Sequence, residues 1–223
     1  MAKTIKAAAN AKMRGRSMVV ILVFTALALF SVAMAVYDLS NRMVLFGVLF
    51  ALAALIFISL TLLKLNEAFG TGIKIVRGDL YMRSWANDFL PYSTNGGFLG
   101  DLKPSRTKLT EIPTEDISMI VIGTKEFIKR SATPAGKKFV KAVYPYEHSS
   151  DKAKRHAISS MDIFYVETIE GDCCFMCIQD YDPQQITNII GDLYDTNPDI
   201  YIKVGSRAYR RPIERLIAKQ RDE

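Results

Sequence analysis

Two stretches decide the fold class: SMVVILVFTALALFSVAMAVY, running from Ser17 to Tyr37, and MVLFGVLFALAALIFISLTLL, running from Met43 to Leu63. Each is 21 residues long and carries no charged side chain. At the rise of an α-helix, each makes about 30 Å of rod, the thickness of a bilayer's hydrocarbon core. Helices that pack in a soluble bundle of this size need a polar stripe, and neither run has one. With only Asp38 to Arg42 between them, residues 17–63 read as a two-helix transmembrane hairpin.

The flanks orient it. Lys3, Lys6, Lys12, Arg14 and Arg16 precede the first run with no acid among them, the connecting stretch is neutral, and Lys64, Lys74 and Arg77 follow the second. Basic flanks stay in the cytoplasm, so the expectation is a multi-pass protein of the cell (inner) membrane with both termini cytoplasmic. Ala33-Met34-Ala35 has the look of a signal-peptidase site, but the apolar run before it is too long for a typical signal peptide. Cys173, Cys174 and Cys177 fall too close together to staple distant parts of a chain, which fits a reducing compartment.

The net charge of +6 sits at the two ends. The N-terminal tail, 1–16, has five basic residues and no acid, and the segment 203–223 has seven basic residues against three acids. The body between the hairpin and that segment, 64–202, is left at −3. Arg207, Arg211 and Arg215 follow an i, i+4, i+8 register, with Arg210 and Lys219 nearby, while Ile213, Leu216 and Ile217 gather on another face. A basic amphipathic C-terminal helix is expected, its five cations facing anionic lipid or its apolar face lying along the domain. Nucleic acid is not expected as a partner.

Between hairpin and tail, strand signals dominate. Residues 72–85 alternate across Gly78-Asp79 as a hairpin would, and 87–108 read as a long loop. Ile112-Pro113-Thr114-Glu115-Asp116-Ile117 leads into a β-branched run, 118–129, with a bend expected at Gly123. Lys137 to Tyr144 reads as a further strand and Pro145 to Arg155 as a loop. Met161 to Ile169 and Cys173 to Ile178 flank Glu170-Gly171-Asp172 as a second hairpin, which puts Cys173 and Cys177 on one face and Cys174 on the other. Asp182-Pro183 then caps a helix with Ile186, Ile189, Ile190, Leu193 and Tyr194 on one side, ending before Asn197-Pro198. A short strand at 200–204 and the basic helix complete the chain.

The Ile112-Pro113-x-x-Asp116-Ile117 lead-in, the hairpin at Glu170-Gly171-Asp172 and the helix opened by Asp182-Pro183 together resemble the bacterial pleckstrin-homology-like domain carried on a transmembrane hairpin. The resemblance covers residues 72–196, and the 87–108 and 145–158 insertions depart from a compact member. It implies a membrane α-hairpin plus an α+β domain (64–202), in which a curved antiparallel sheet of about seven strands, a partly open barrel, is capped by one amphipathic helix. It also implies no catalytic apparatus.

The sequence shows no Walker lysine loop, nucleophile elbow or dinucleotide fingerprint. A zinc site from His148, His156, Cys174 and Cys177 is not expected, because Cys174 and Cys177 point to opposite faces of a strand. No cofactor, metal or catalytic residue is assigned. The expected function is a non-enzymatic, membrane-anchored binding or scaffold module engaging anionic lipid or a membrane protein partner. The alternatives are an accessory subunit of a larger membrane complex and an enzyme with an unrecognised site. The spacing Gly47-x-x-x-Ala51 leaves homo-oligomerisation through the helices open.

Overall fold

The computed structural model describes residues 5–7, 11–69, 72–83, 109–150, 152–179 and 181–222. They form two compact units, a helical hairpin and an α+β domain.

The hairpin consists of α1 (Ala11–Ser40) and α2 (Val44–Phe69), and the segments Met18–Ser40 and Val44–Leu65 are each long and apolar enough to cross a membrane. On α1 the buried side chains Phe24, Ala28, Ser31, Ala35 and Asp38 recur every three or four residues, the spacing of a packed helix pair. Phe24 meets Phe57 and Phe30 meets Phe50 at ring-centroid separations of 6.3 and 6.5 Å. Gly47 leaves room for Leu39: a methyl group there would lie 2.6 Å from Leu39 Cγ. Its small side is therefore used within the hairpin. The outward side chains, such as Leu22, Leu29, Leu45, Leu55 and Leu62, are exposed and apolar. The hydroxyls of Thr25, Ser59 and Thr61 donate to the carbonyls four residues earlier, so none is left without an acceptor.

The domain holds two four-stranded sheets. The first runs β1-β2-β3-β4, all antiparallel, from Ile5–Ala7, Ile73–Val76, Asp79–Arg83 and Leu109–Ile112. Its first strand comes from the basic N-terminal tail, and β1 pairs Ile5 with Ile75 across the whole length of the hairpin sequence. The β2–β3 turn is made by Arg77 and Gly78 at φ 57° and 95°, one residue earlier than the Gly78-Asp79 expected. Two consecutive positive φ values suit the twist of a two-residue hairpin, and glycine takes the larger of them without a Cβ clash.

The second sheet is ordered β7-β6-β5-β8, from Cys173–Cys177, Ile163–Thr168, Ile117–Gly123 and Tyr201–Val204. β5 is antiparallel to β6 and parallel to β8. The Pro113 lead-in joins the two sheets through a short 3₁₀ turn, Thr114–Asp116. There the Thr114 hydroxyl donates to the Gly78 carbonyl, and Asn197 donates to the Thr114 carbonyl at 3.0 Å.

β5 is buried along nearly its whole length because both faces of the second sheet are covered. On one face Ile117, Ile120, Ile122, Phe164, Val166 and Met176 share a core with the first sheet and with α6 (Pro183–Thr196) and α7 (Arg207–Asp222). On the other, Val121, Ile163, Tyr165 and Phe175 are covered by α3 (Lys125–Ser131), α4 (Lys137–Glu147) and α5 (Lys152–Ser160) through Ile128, Phe139, Val143 and Ile158. Cys173 and Cys177 belong to this second core and Cys174 packs on the first, as strand alternation requires.

Four expectations are corrected. The single curved sheet of about seven strands is two sheets of four, and the one capping helix, α6, is joined by α7 and by the α3–α5 layer. The run 118–129 stops being a strand at Gly123, where the Phe127 ring lies against the glycine and the chain turns into α3. Lys137 to Tyr144 is helix, because Phe139 and Val143, four apart, are the positions that meet the sheet. Pro145 falls inside the last turn of α4, and most of the expected 145–155 loop is the end of that helix and the start of α5. The 87–108 loop lies outside the described residues.

The layer is held by polar contacts too. Glu147 at the end of α4 meets Lys125 and Lys129 of α3 at 3.0 and 2.7 Å. Partial burial pushes its carboxyl up, but the two ammonium groups outweigh burial and hold it below its ordinary range. Glu167 on β6, 3% exposed, accepts from Tyr165 at 2.9 Å and from the Thr133 hydroxyl. A buried carboxylate is thus given donors from both its own strand and the α3–α4 connection.

Candidate functional site

The C-terminal helix begins where Ser206, buried at the end of β8, donates to Asp162 at 2.7 Å. Burial raises the Asp162 carboxyl above its usual range, with the Ser206 bond pulling the other way. One turn later the Tyr209 hydroxyl, 2% exposed, donates to the Ile178 carbonyl at 3.2 Å. Ile213 is fully buried, and Ile217 packs against the same core. Gly191 on α6 lets α7 come close, since a Cβ there would stand 2.8 Å from Leu216 Cδ1. The apolar face of α7 is therefore already occupied by the domain.

What α7 leaves outward is its basic face. Arg207, Arg210, Arg211 and Arg215 are exposed, and among the described residues no carboxylate pairs with them. Arg210 Nε reaches the Val204 carbonyl at 3.3 Å. Lys219 continues the helix, its side chain outside the described residues. Structure thus brings four of the five candidate cations onto the outer side of one helix. Guanidinium groups held on a docked helix lose less freedom on meeting an anion than the same groups on a free tail.

A second basic surface was concealed by summing charge over 64–202. The segment 125–160 carries nine Lys and Arg against Glu126, Glu147 and Asp151, whereas 161–202 has nine acids and neither Lys nor Arg. Counting charge in windows of about 35 residues separates them. The first segment is the α3–α5 layer, and the second is β6, β7 and α6.

The cysteines and histidines do not converge. Among the described residues, no group of three or more His, Cys, Asp and Glu side chains is placed to hold a metal ion. His148 is exposed and lies against the Tyr144 ring at 4.2 Å, and His156 is exposed on α5. Cys173 and Cys174 line a hollow of about 500 Å³ with Glu111, Asp116, Glu170 and Asp172 around it. Burial pushes the Cys173 thiol up and the Cys174 thiol up to about 11, with neighbouring acid charge adding to both. Because the thiolate is the reactive form, both thiols are poor nucleophiles near neutral pH. The native chain should resist iodoacetamide at pH 8 for hours, with Cys174 labelling about tenfold faster per pH unit up to about 11, and all three cysteines should label at once in denaturant. Fast labelling of the native chain, followed by mass spectrometry, would overturn this.

No family model matches the chain, and neither the curated proteins nor the solved structures compared with it give a match.

Proposed function

We propose that the chain is a non-enzymatic binding module of pleckstrin-homology-like architecture, anchored by its helical hairpin at the cytoplasmic face of a membrane, whose α7 arginine face engages anionic lipid. The observation that carries this reading is the division of labour on α7: the apolar side is spent on the core, and the arginines are exposed without carboxylate partners among the described residues. Two further features support it. Antiparallel meanders β2–β4 and β5–β7 share a core with the helix that follows them, as in pleckstrin-homology-like domains, although β8 and the α3–α5 layer are additions. Both hairpin helices run into strands of one sheet after three residues, between Ala7 and Ala11 and between Phe69 and Ile73, so the tethers are short. Such tethers keep the local concentration of lipid headgroups high.

The test uses the full chain in nanodiscs with a fluorophore at an Ala218→Cys position and quenchers on lipid headgroups. Each arginine near an anionic surface contributes about 1 kcal/mol, so three contribute roughly 100-fold in surface occupancy. Quenching should be strong in anionic discs, weak in neutral discs and lost in 0.5 M salt, where the screening length is only a few ångströms. Arg207→Gln/Arg211→Gln/Arg215→Gln should lose it with no change in melting temperature. Equal quenching in neutral and anionic discs would sink the proposal.

A further inference from the structure

Outside the hairpin, the large apolar side chains most exposed among the described residues are Val140, Tyr144, Ile169 and Tyr201. Two of these four stand together on α4. Val140 is 41% and Tyr144 57% exposed, four residues apart on one side of the helix. They border a groove of about 490 Å³ that runs between α4 and the end of α3. Ala132, Pro134 and Phe139 complete its apolar lining.

The rim of this groove is cationic. Lys137 and Lys141, also four apart, are exposed and make no ion pair among the described residues. Lys129 closes the third side and shares Glu147 with Lys125. The groove has no carboxylate in its lining. A layer with nine basic and three acidic residues surrounds it. Lysine stems cover apolar surface while their ammonium groups stay in water, so a cationic rim and an apolar floor coexist without strain.

We infer that this groove is a binding site for the phosphate headgroup and first chain carbons of a single anionic phospholipid. Charge complementarity selects the phosphate: two unpaired ammonium groups one helical turn apart bracket one anion. The apolar floor selects what is attached to it, since a free phosphate ion gains nothing from Val140 and Tyr144, whereas an amphiphile buries chain carbons there. The volume lies in the range of small-ligand sites and is too small for a folded partner. This site lies on a different helix from the α7 arginines and recognises one molecule rather than a surface field. It rests on the preceding reading only in having the domain beside a bilayer.

The experiment measures saturable binding by the full chain in neutral phosphatidylcholine nanodiscs, where an arginine face has no anionic surface to work on. The probes are dioctanoyl phosphatidate, inorganic phosphate and a poly-glutamate peptide. Phosphatidate should bind at one equivalent per chain, at least tenfold tighter than inorganic phosphate. Lys137→Gln/Lys141→Gln should weaken it by tenfold or more and Val140→Glu should abolish it, both at unchanged melting temperature. Arg207→Gln/Arg211→Gln/Arg215→Gln should leave it within twofold, which separates failure here from failure of the α7 reading. Inorganic phosphate binding as tightly as phosphatidate, poly-glutamate binding in its place, or indifference to the two lysines would each overturn the inference.

Discussion

Ile190→Asp is expected to abolish the folded domain while leaving the hairpin helical. Ile190 is fully buried, on the face of α6 that joins Ile186, Ile189 and Leu193 to both sheets. A carboxylate there loses the isoleucine's burial and meets an apolar core among the described residues, so either the charge or the protonation needed to remove it costs several kcal/mol. A domain's whole stability is about 5–15 kcal/mol. Full-length protein in detergent should lose its near-ultraviolet dichroism and become protease-sensitive after residue 72, with the two apolar helices protected. Ile190→Val, which removes one methylene, should cost only about 1 kcal/mol. A cooperative transition in the Asp variant within a few degrees of the parent would show that the buried face of α6 does not hold the two sheets together.

Phe139→Ala tests the other core. The Phe139 ring is fully buried, edge-on to Tyr165 at 5.7 Å and to Phe175 at 4.8 Å. Removing it leaves a cavity under α4 and forfeits both ring contacts, a loss of about 3–5 kcal/mol. Because α3–α5 cover only one face of the second sheet, hydrogen exchange should rise first in α4 and α5 and in β7, with α6 less affected. Equal acceleration everywhere would mean that the two cores unfold as one unit.

Much of this architecture was legible because it rests on local chemistry. Uncharged runs at 17–37 and 43–63 give two helices long and apolar enough to cross a membrane. The Asp182 side chain accepts from the Gln184 N–H at 3.0 Å with Pro183 next to it, as its sequence promises, and Gly171 at φ 83° makes the Glu170–Asp172 turn. What was not legible depends on distant partners. Ile5-Lys6-Ala7 has no strand signal of its own and is a strand because β2 offers an edge. Lys137 to Tyr144 has two β-branched valines and a following proline, and only the sheet beneath shows that Phe139 and Val143 are the buried pair. The arginine register on 207–215 was visible in the sequence, but not that the opposite face of that helix was already in use. The lysines of α4 were missed because a −3 total over 64–202 averages a basic layer with an acidic one.

The pairing of β1 with β2 bears on how the chain is made. Ile5–Ala7 leaves the ribosome before either apolar helix, and Ile73–Val76 leaves after both. The first strand must wait, unpaired, until 65 residues (8–72) have been synthesised, and loop closure then brings the two together. If α1 and α2 cross a bilayer, as the proposed function has it, that meeting is possible only when both segments end on the same side. A chain that inserts one helix and leaves the other behind strands β1 across the membrane from its partner and exposes β2 as a sheet edge, the kind of surface that invites aggregation and proteolysis. On that proposal, a three-residue strand makes completion of the domain conditional on an even number of crossings, and ties the quality of the folded protein to the success of its insertion.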